Sequence, residues 1–380
     1  MSRRLRLGMV GGGQGAFIGA VHRIAARLDD RYELVAGALS SDPVRARASA
    51  AELGIAPGRA YDSFAAMADA EAAREGDDRL DVVSVVTPNH VHHDAVAAFL
   101  GRGFNVVCDK PLCHTLADAE DLERRVAGSG VLFALTHNYT GYPMVRQARA
   151  LLASGELGAV RVVQAEYPQE WLATDLESTG QKQAEWRTDP ARSGAAGCVG
   201  DIGTHAFNLL EFVSGLQVES LAADLSTFVP GRRLDDNAHM MLRLGGGARG
   251  MLWSSQVAVG QENALRLRVY CEKGAVEWSQ EQPNALLVAR LGEPPGLVRR
   301  GGTGAGPAAA HATRIPGGHP EGYLEAFAQL YTDFAEQIRA RTENRAPDPA
   351  CLLVPGIAEG VRGMRFIDAA VRSRGEWTRL

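Results

Sequence analysis

No run in this 380-residue chain approaches the roughly 20 consecutive apolar residues that a membrane-spanning helix requires, so the sequence offers no such span. The basic surplus of a nucleic-acid binder is missing as well. Forty-five acidic against 40 basic side chains leave a net charge of -5, whereas phosphate backbones are gripped by Lys and Arg gathered on one face. Arg299 and Arg300 read as part of a solvated loop. Cysteine is scarce: five residues, odd in number and irregular in spacing, imply a reducing compartment rather than a disulfide framework. Neither His90, His92, His93 and Asp94 nor Cys108, Cys113 and His114 show the paired Cys-x-x-Cys or His-x-x-x-His spacing of a zinc site, so no metal is expected. At the start, Ser2-Arg3-Arg4 looks like a twin-arginine export signal. A strand and a glycine-rich turn follow at once, in place of an apolar segment and a small-residue cleavage site. The expectation is a cytoplasmic protein with no nucleic-acid or membrane partner.

What is present suits a large folded protein. Hydrophobic residues make up 46% and charged residues 22%, enough to build an ordinary core in each of two or three domains. Residues 5–10 form a short apolar stretch, followed by GGGQGAFIG (11–19) and a helical pattern containing Ile24, Ala25 and Leu28. A strand, a glycine turn and a helix provide a setting in which bare backbone N–H groups approach a pyrophosphate at the helix N-terminus. Gly11, Gly13, Gly15 and Ala16 make a loose GxGxxG. Taken alone, this spacing is equally that of a turn without a nucleotide.

The segments that follow alternate. A strand ends at Leu39, a helix covers 43–53, an apolar strand runs from 80 to Pro88, a helix covers 90–101, and FNVVCDK comes next. Strands alternating with helices predict a doubly wound parallel sheet whose ligands lie at the C-terminal strand ends. Thr87-Pro88-Asn89 and Asp109-Lys110-Pro111 both fall at such ends, so Lys110 is expected at the mouth of a crevice.

In the second half a helix over 143–154 and a strand over 160–166 precede QKQAEWRTDPARSGAAGCVGDIGTH, whose turn chemistry leads into a helix near Asp201. From 217 to 290, short β-branched and apolar runs broken by Gly and Asn predict a largely antiparallel sheet. Residues 291–318, rich in Gly, Pro and Ala, read as a long loop. Helices over 323–340 and 355–373 finish the chain. Asp201 and His205, four residues apart, share a face if helical. Spacing alone favours a capping Asp and a satisfied core His.

The motifs GGGQGAFIG, TPNHVHHDA, Asp109-Lys110-Pro111, GDIGTHAFNLL and GGHPEGYLEAFAQLY stand in order along nearly the whole chain. In them the sequence resembles the Gfo/Idh/MocA oxidoreductases, named for glucose-fructose oxidoreductase and inositol dehydrogenase. Most members carry Glu-Lys-Pro where this chain has Asp109-Lys110-Pro111. The resemblance implies an N-terminal Rossmann domain over 1–138, doubly wound around a parallel sheet. It also implies an α+β domain over 139–380 whose open, mostly antiparallel sheet binds substrate on one side and builds a homodimer or homotetramer on the other. Lys110, Asp201 and His205 are implied as the catalytic constellation, some relatives carrying Tyr in place of His205. The cofactor set implied is Gly11, Gly13, Gln14, Gly15, Ala16, Phe17, Ile18, Ser40, Ser41, Arg45, Asp109 and Lys110. Thr87, Pro88, Asn89 and His92 are assigned to the nicotinamide end, with Asn138 close by.

Oxidising a secondary alcohol requires a base for the hydroxyl proton, and histidine, titrating near neutrality, suits that role. Lys110 could stabilise the developing alkoxide, and Asp201 could bind substrate or fix the geometry. Trp186 offers an apolar plate for a sugar ring, while Arg187 and His319 offer donors to its hydroxyls. Tyr139, Tyr167 and Gln169 are further candidates. The expected activity is an NAD(P)-dependent interconversion of a ring secondary hydroxyl and a ketone on a cyclitol or unphosphorylated sugar, of the inositol or aldose dehydrogenase type. The alternatives are a ketosugar or deoxysugar reductase and a catalytically silent nucleotide-sensing protein. The end of the second strand carries Ser40 where an acid usually chelates the adenine ribose. Ser40, Ser41 and Arg45 could cradle the 2′-phosphate of NADP, but Asp42 in the same turn would repel it, and NAD is favoured.

Overall fold

The computed structural model describes residues 3–380, leaving outside it the first two positions of the basic N-terminal stretch. The chain divides into two compact units, 1–138 with 324–361, and 139–323 with 362–380.

In the first unit β1 (Leu5–Gly11), α1 (Phe17–Leu28), β2 (Tyr32–Ala38), α2 (Pro43–Glu52), α3 (Phe64–Ala72), β3 (Val82–Val86), α4 (Asn89–Leu100), β4 (Asn105–Cys108), α5 (Leu116–Ser129) and β5 (Phe133–Leu135) alternate along the chain. Their strands form one sheet of order β2-β1-β3-β4-β5, every pair parallel. All five residues of β3, Val-Val-Ser-Val-Val, are buried. This is the continuous apolar pattern of a strand covered on both faces. Side-chain caps start the helices: Ser63 Oγ accepts from Ala66 N–H and Thr115 Oγ1 from Asp118 N–H.

The second unit opens with α6 (Pro143–Ala153) and β6 (Val160–Pro168), then the short α7 (Lys182–Arg187) and α8 (Pro190–Ser193), and α9 (Thr204–Ser214). A meander follows: β7 (Val218–Ser226), β8 (Asn237–Leu244), β9 (Arg249–Ser255), β10 (Arg266–Cys271), β11 (Gly274–Ser279) and β12 (Ala285–Arg290). Next come β13 (Gly296–Arg299), α10 (Pro307–His311), α11 (Tyr323–Thr342), α12 (Ile357–Ser373) and β14 (Thr378–Arg379). The nine-stranded sheet has the order β13-β12-β11-β10-β6-β9-β8-β7-β14 and is antiparallel except where β6 runs parallel to β9. β8 alternates buried and exposed residues along most of its length, as a sheet packed on one face requires.

Three differences from the sequence reading have physical causes. Residues 324–361, placed by the reading in the second domain, pack with the first unit. There Tyr331, from α11, stacks edge-on against Tyr32 and His22. The segment read as a loop contains β13, paired with β12, and α10. Arg300, read as solvated, is 2% exposed. Its guanidinium donates to Asn284 Oδ1 at 2.7 Å, to the Ile315 carbonyl at 2.7 Å and to Glu321 Oε1 at 2.8 Å, and also binds the His319 carbonyl. A buried Arg of this kind is set by a carboxylate 21 residues away, which local composition does not register.

Candidate active site

In the first unit the turn after β1 is built for close backbone approach. Gly11, Gly12 and Gly15 have φ of +79°, +74° and +75°, the left-handed region open to glycine. A Cβ on Gly13 would lie 2.6 Å from the Leu39 carbonyl and 2.7 Å from Ser49 Oγ, and one on Gly19 would lie 2.3 Å from Gly12 Cα. Helix α1 begins after Ala16 with no side-chain cap and no acid in its first turn, which leaves its N-terminal N–H groups suited to an anion. Phe17 is exposed there. Gln14 is anchored, its N–H on Ser49 Oγ at 3.0 Å and its side chain on Glu52. After β2, Ser40 Oγ accepts from Asp42 N–H at 3.1 Å, and Asp42 Oδ1 caps α2 by accepting from Arg45 N–H at 2.9 Å. That cap holds the Asp42 carboxyl below the usual carboxylate range. The fit to a dinucleotide rests on these features: bare glycines, an uncapped helix start and a strand end with hydroxyls.

Around Lys110 the turns after β3 and β4 are tied together. His92 is fully buried, with Nδ1 3.0 Å from the Pro111 carbonyl and Nε2 2.8 Å from the Thr87 carbonyl. Burial pushes its pKa below the ordinary imidazole value. A side chain with no accessible surface does not touch a dinucleotide, so the expected contact of His92 with the nicotinamide is corrected to a role in holding both turns. The same holds for Asn138, 1% exposed. Burial, with Lys110, pushes His137 down to about 3, so it is neutral. Burial alone would raise Asp109, but His22, Lys110 and the Thr136 hydroxyl hold its carboxyl far below the carboxylate range. Thr136 Oγ1 donates to Asp109 Oδ1 at 2.7 Å. His93 turns to Asp94 and Asp121, and His114 to Asp118.

In the second unit Asp201 lies in a wide π-turn, Val199–Gly203, rather than in a regular helix, and His205 begins α9 behind it. The turn is braced by the buried Asp235, whose carboxylate accepts from Gly197 N–H at 2.6 Å and Val199 N–H at 2.9 Å. Asp201 Oδ2 accepts from Gln256 Nε2 at 2.9 Å and meets Arg187 Nε at 3.2 Å. The Arg187 guanidinium lies 4.3 Å over the Trp186 ring and 5.9 Å over Trp171. His205 stands edge-on to Tyr139 at 4.8 Å and tilted to Tyr167 at 6.2 Å. The two phenols share a 2.6 Å hydrogen bond. Burial raises the pKa of both tyrosines far above the phenol value, so they are neutral walls and not bases. Tyr139, expected at the substrate, is buried and supports His205. His319 is exposed on its loop. Sequence reasoning missed Gln256, Trp171, Asp235 and His22. The last was marked only by a polar residue on the buried stripe of α1 beside Val21, Ala25 and Ala26.

Residues 5–137 match the model of an oxidoreductase family with an NAD-binding Rossmann fold, and residues 145–277 match the GFO/IDH/MocA C-terminal domain. An uncharacterised oxidoreductase of Bacillus subtilis is 32% identical over 99% of this chain and 96% of its own. The crystal structure of an oxidoreductase from Sinorhizobium meliloti is 54% identical with a TM-score of 0.90, covering 100% of both chains. An inositol dehydrogenase homologue from Azotobacter vinelandii, solved with NADH and myo-inositol, is 35% identical with a TM-score of 0.92 over 100% of this chain and 98% of that one.

Proposed function

This chain belongs to the GFO/IDH/MocA family of NAD-binding oxidoreductases, and from that premise we propose that it oxidises a ring secondary hydroxyl of a cyclitol or unphosphorylated sugar to the ketone with NAD. The observation that carries the reading is the second unit's acid–base group: Asp201 gripped by Arg187 and Gln256, with His205 beside two neutral tyrosines. In this reading bound nicotinamide supplies the hydride acceptor. His205 takes the hydroxyl proton, the Lys110 ammonium stabilises the alkoxide, and Asp201 orients the ring by accepting from a neighbouring hydroxyl. The apolar plates of Trp171 and Trp186 suit the C–H face of a ring. Arg187 is neutralised by Asp201, which supports an uncharged polyol over a sugar phosphate.

Steady-state assays with free inositols and aldoses beside phosphorylated hexoses test this reading. NAD-dependent turnover of a free ring polyol at least about tenfold more efficient than that of any sugar phosphate is expected. A reversed preference rejects the substrate class, and no turnover with bound cofactor favours the silent reading.

Preference for NAD is supported by Asp42, whose carboxylate occupies the start of α2. Asp42→Asn keeps a good helix cap while removing the charge. It is expected to tighten NADPH about three- to tenfold with NADH little changed. Fluorescence titration measures this, and unchanged NADPH affinity would remove Asp42 from the argument. The same proposal places the protein in a reducing cytoplasm, supported by five free buried thiols. It also includes self-association through the outer face of the second sheet, supported by exposed Met241 and Met251 paired across β8 and β9.

A further inference from the structure

His22 lies on α1, the helix whose N-terminus faces the cofactor turn, and its ring is fully buried. Nδ1 is 2.8 Å from Tyr331 Oη. Ser84 Oγ, from β3, stands 3.0 Å from that hydroxyl and 3.3 Å from Nδ1. The faces of the ring are filled by Phe327 at 5.1 Å and Tyr331 at 5.8 Å, so its rotamer is fixed. Nε2 is buried with no hydrogen-bond partner in range. The carboxylate in front of it is Asp109, with Oδ1 at 3.7 Å. Two hydroxyls on Nδ1 leave the Nε2 proton for Asp109. A chain of polar groups thus runs from α11 and β3 through a helix of the cofactor turn to the residue before Lys110.

We propose that His22 is a positioning residue for Lys110, acting through Asp109. The Asp109 backbone N–H is already fixed on the Val85 carbonyl at 2.9 Å, and Thr136 holds Oδ1 from one side. His22 closes the other side. With its side chain and its N–H both fixed, Asp109 has one backbone conformation, and that conformation sets the direction in which the next side chain, Lys110, leaves the strand end. Because α1 carries both the cofactor turn and His22, the ion-binding end of the helix and the Lys110 turn form one mechanical piece. The imidazole is too deep to meet substrate, so its effect on the reaction is indirect. The inference rests on the reading of Lys110 as the cation at the alkoxide.

Two amide substitutions separate the two sides of the ring. His22→Gln places an amide nitrogen where Nε2 stands and keeps the donor toward Asp109. The shorter His22→Asn keeps a polar group near Tyr331 and Ser84 and leaves Asp109 without its partner. Both are expected to lower Tm by similar amounts with NADH affinity unchanged. kcat should stay within about threefold of the parent in His22→Gln and fall at least about tenfold in His22→Asn. In an Asp109→Asn background the further effect of His22→Asn should shrink below about threefold, the mark of coupled residues. Equal kcat in the two amide variants, or an undiminished effect in that background, overturns the proposal. Should His22→Asn fail to fold, His22→Gln is set against Asp109→Asn, and equal losses of kcat again overturn it. The parent and Lys110→Ala are assayed alongside: if the parent turns over no polyol, or Lys110→Ala keeps full turnover, the functional reading has failed and not this inference.

Discussion

Replacing His205 by alanine is expected to lower kcat at least about a hundredfold while the Kd for NADH stays within a few-fold, because the loss concerns proton transfer and not cofactor binding. The surroundings of the ring make this a sharp expectation. Both phenols beside it are neutral, their pKa values raised by burial, so neither takes over as base at neutral pH. Steady-state turnover and fluorescence titration on the same preparation check both halves. Near-normal kcat would show that another group accepts the proton.

Lys110→Ala should cost a comparable factor, at least about a hundredfold, for a different reason: the alkoxide loses the charge that stabilises it. Lys110→Arg is expected to recover little, since a planar guanidinium does not replace a compact ammonium as a point donor. Its pairing with the neighbouring carboxylate also favours an ordered strand end over a solvated tail, as Asp109 is itself held by Thr136 and faced by His22. Substantial activity in Lys110→Ala would reduce the lysine to a structural partner of Asp109.

Much of this architecture is legible in the sequence because it is local. The all-buried run of β3, the glycine turn at the end of β1 and the alternating pattern of β8 each announce themselves within a few residues. The features that escape are decided by partners far away in the chain. Arg300 looks solvated until Glu321 and the Ile315 carbonyl are brought to it. His22 looks like one polar residue in a helix until Tyr331 arrives from α11, 309 residues on. His92 stands inside a motif that suggests ligand contact, yet two backbone carbonyls claim both ring nitrogens. At the candidate site, Asp201 and His205 are readable as types. Their setting is not, because the π-turn around Asp201 depends on Asp235 accepting from Gly197 and Val199, and i, i+4 spacing predicts a regular helix there.

The central claim is hydride removal from a ring carbon that bears a hydroxyl. Its most direct measurement uses a free cyclitol or sugar carrying deuterium at its ring carbinol carbons, with NAD and the intact protein, and mass analysis of the cofactor and the sugar product. The account predicts one deuterium in each reduced cofactor formed, an equal amount of ring ketone, and loss of both in His205→Ala. Binding of NADH without deuterium transfer from any ring polyol would contradict it.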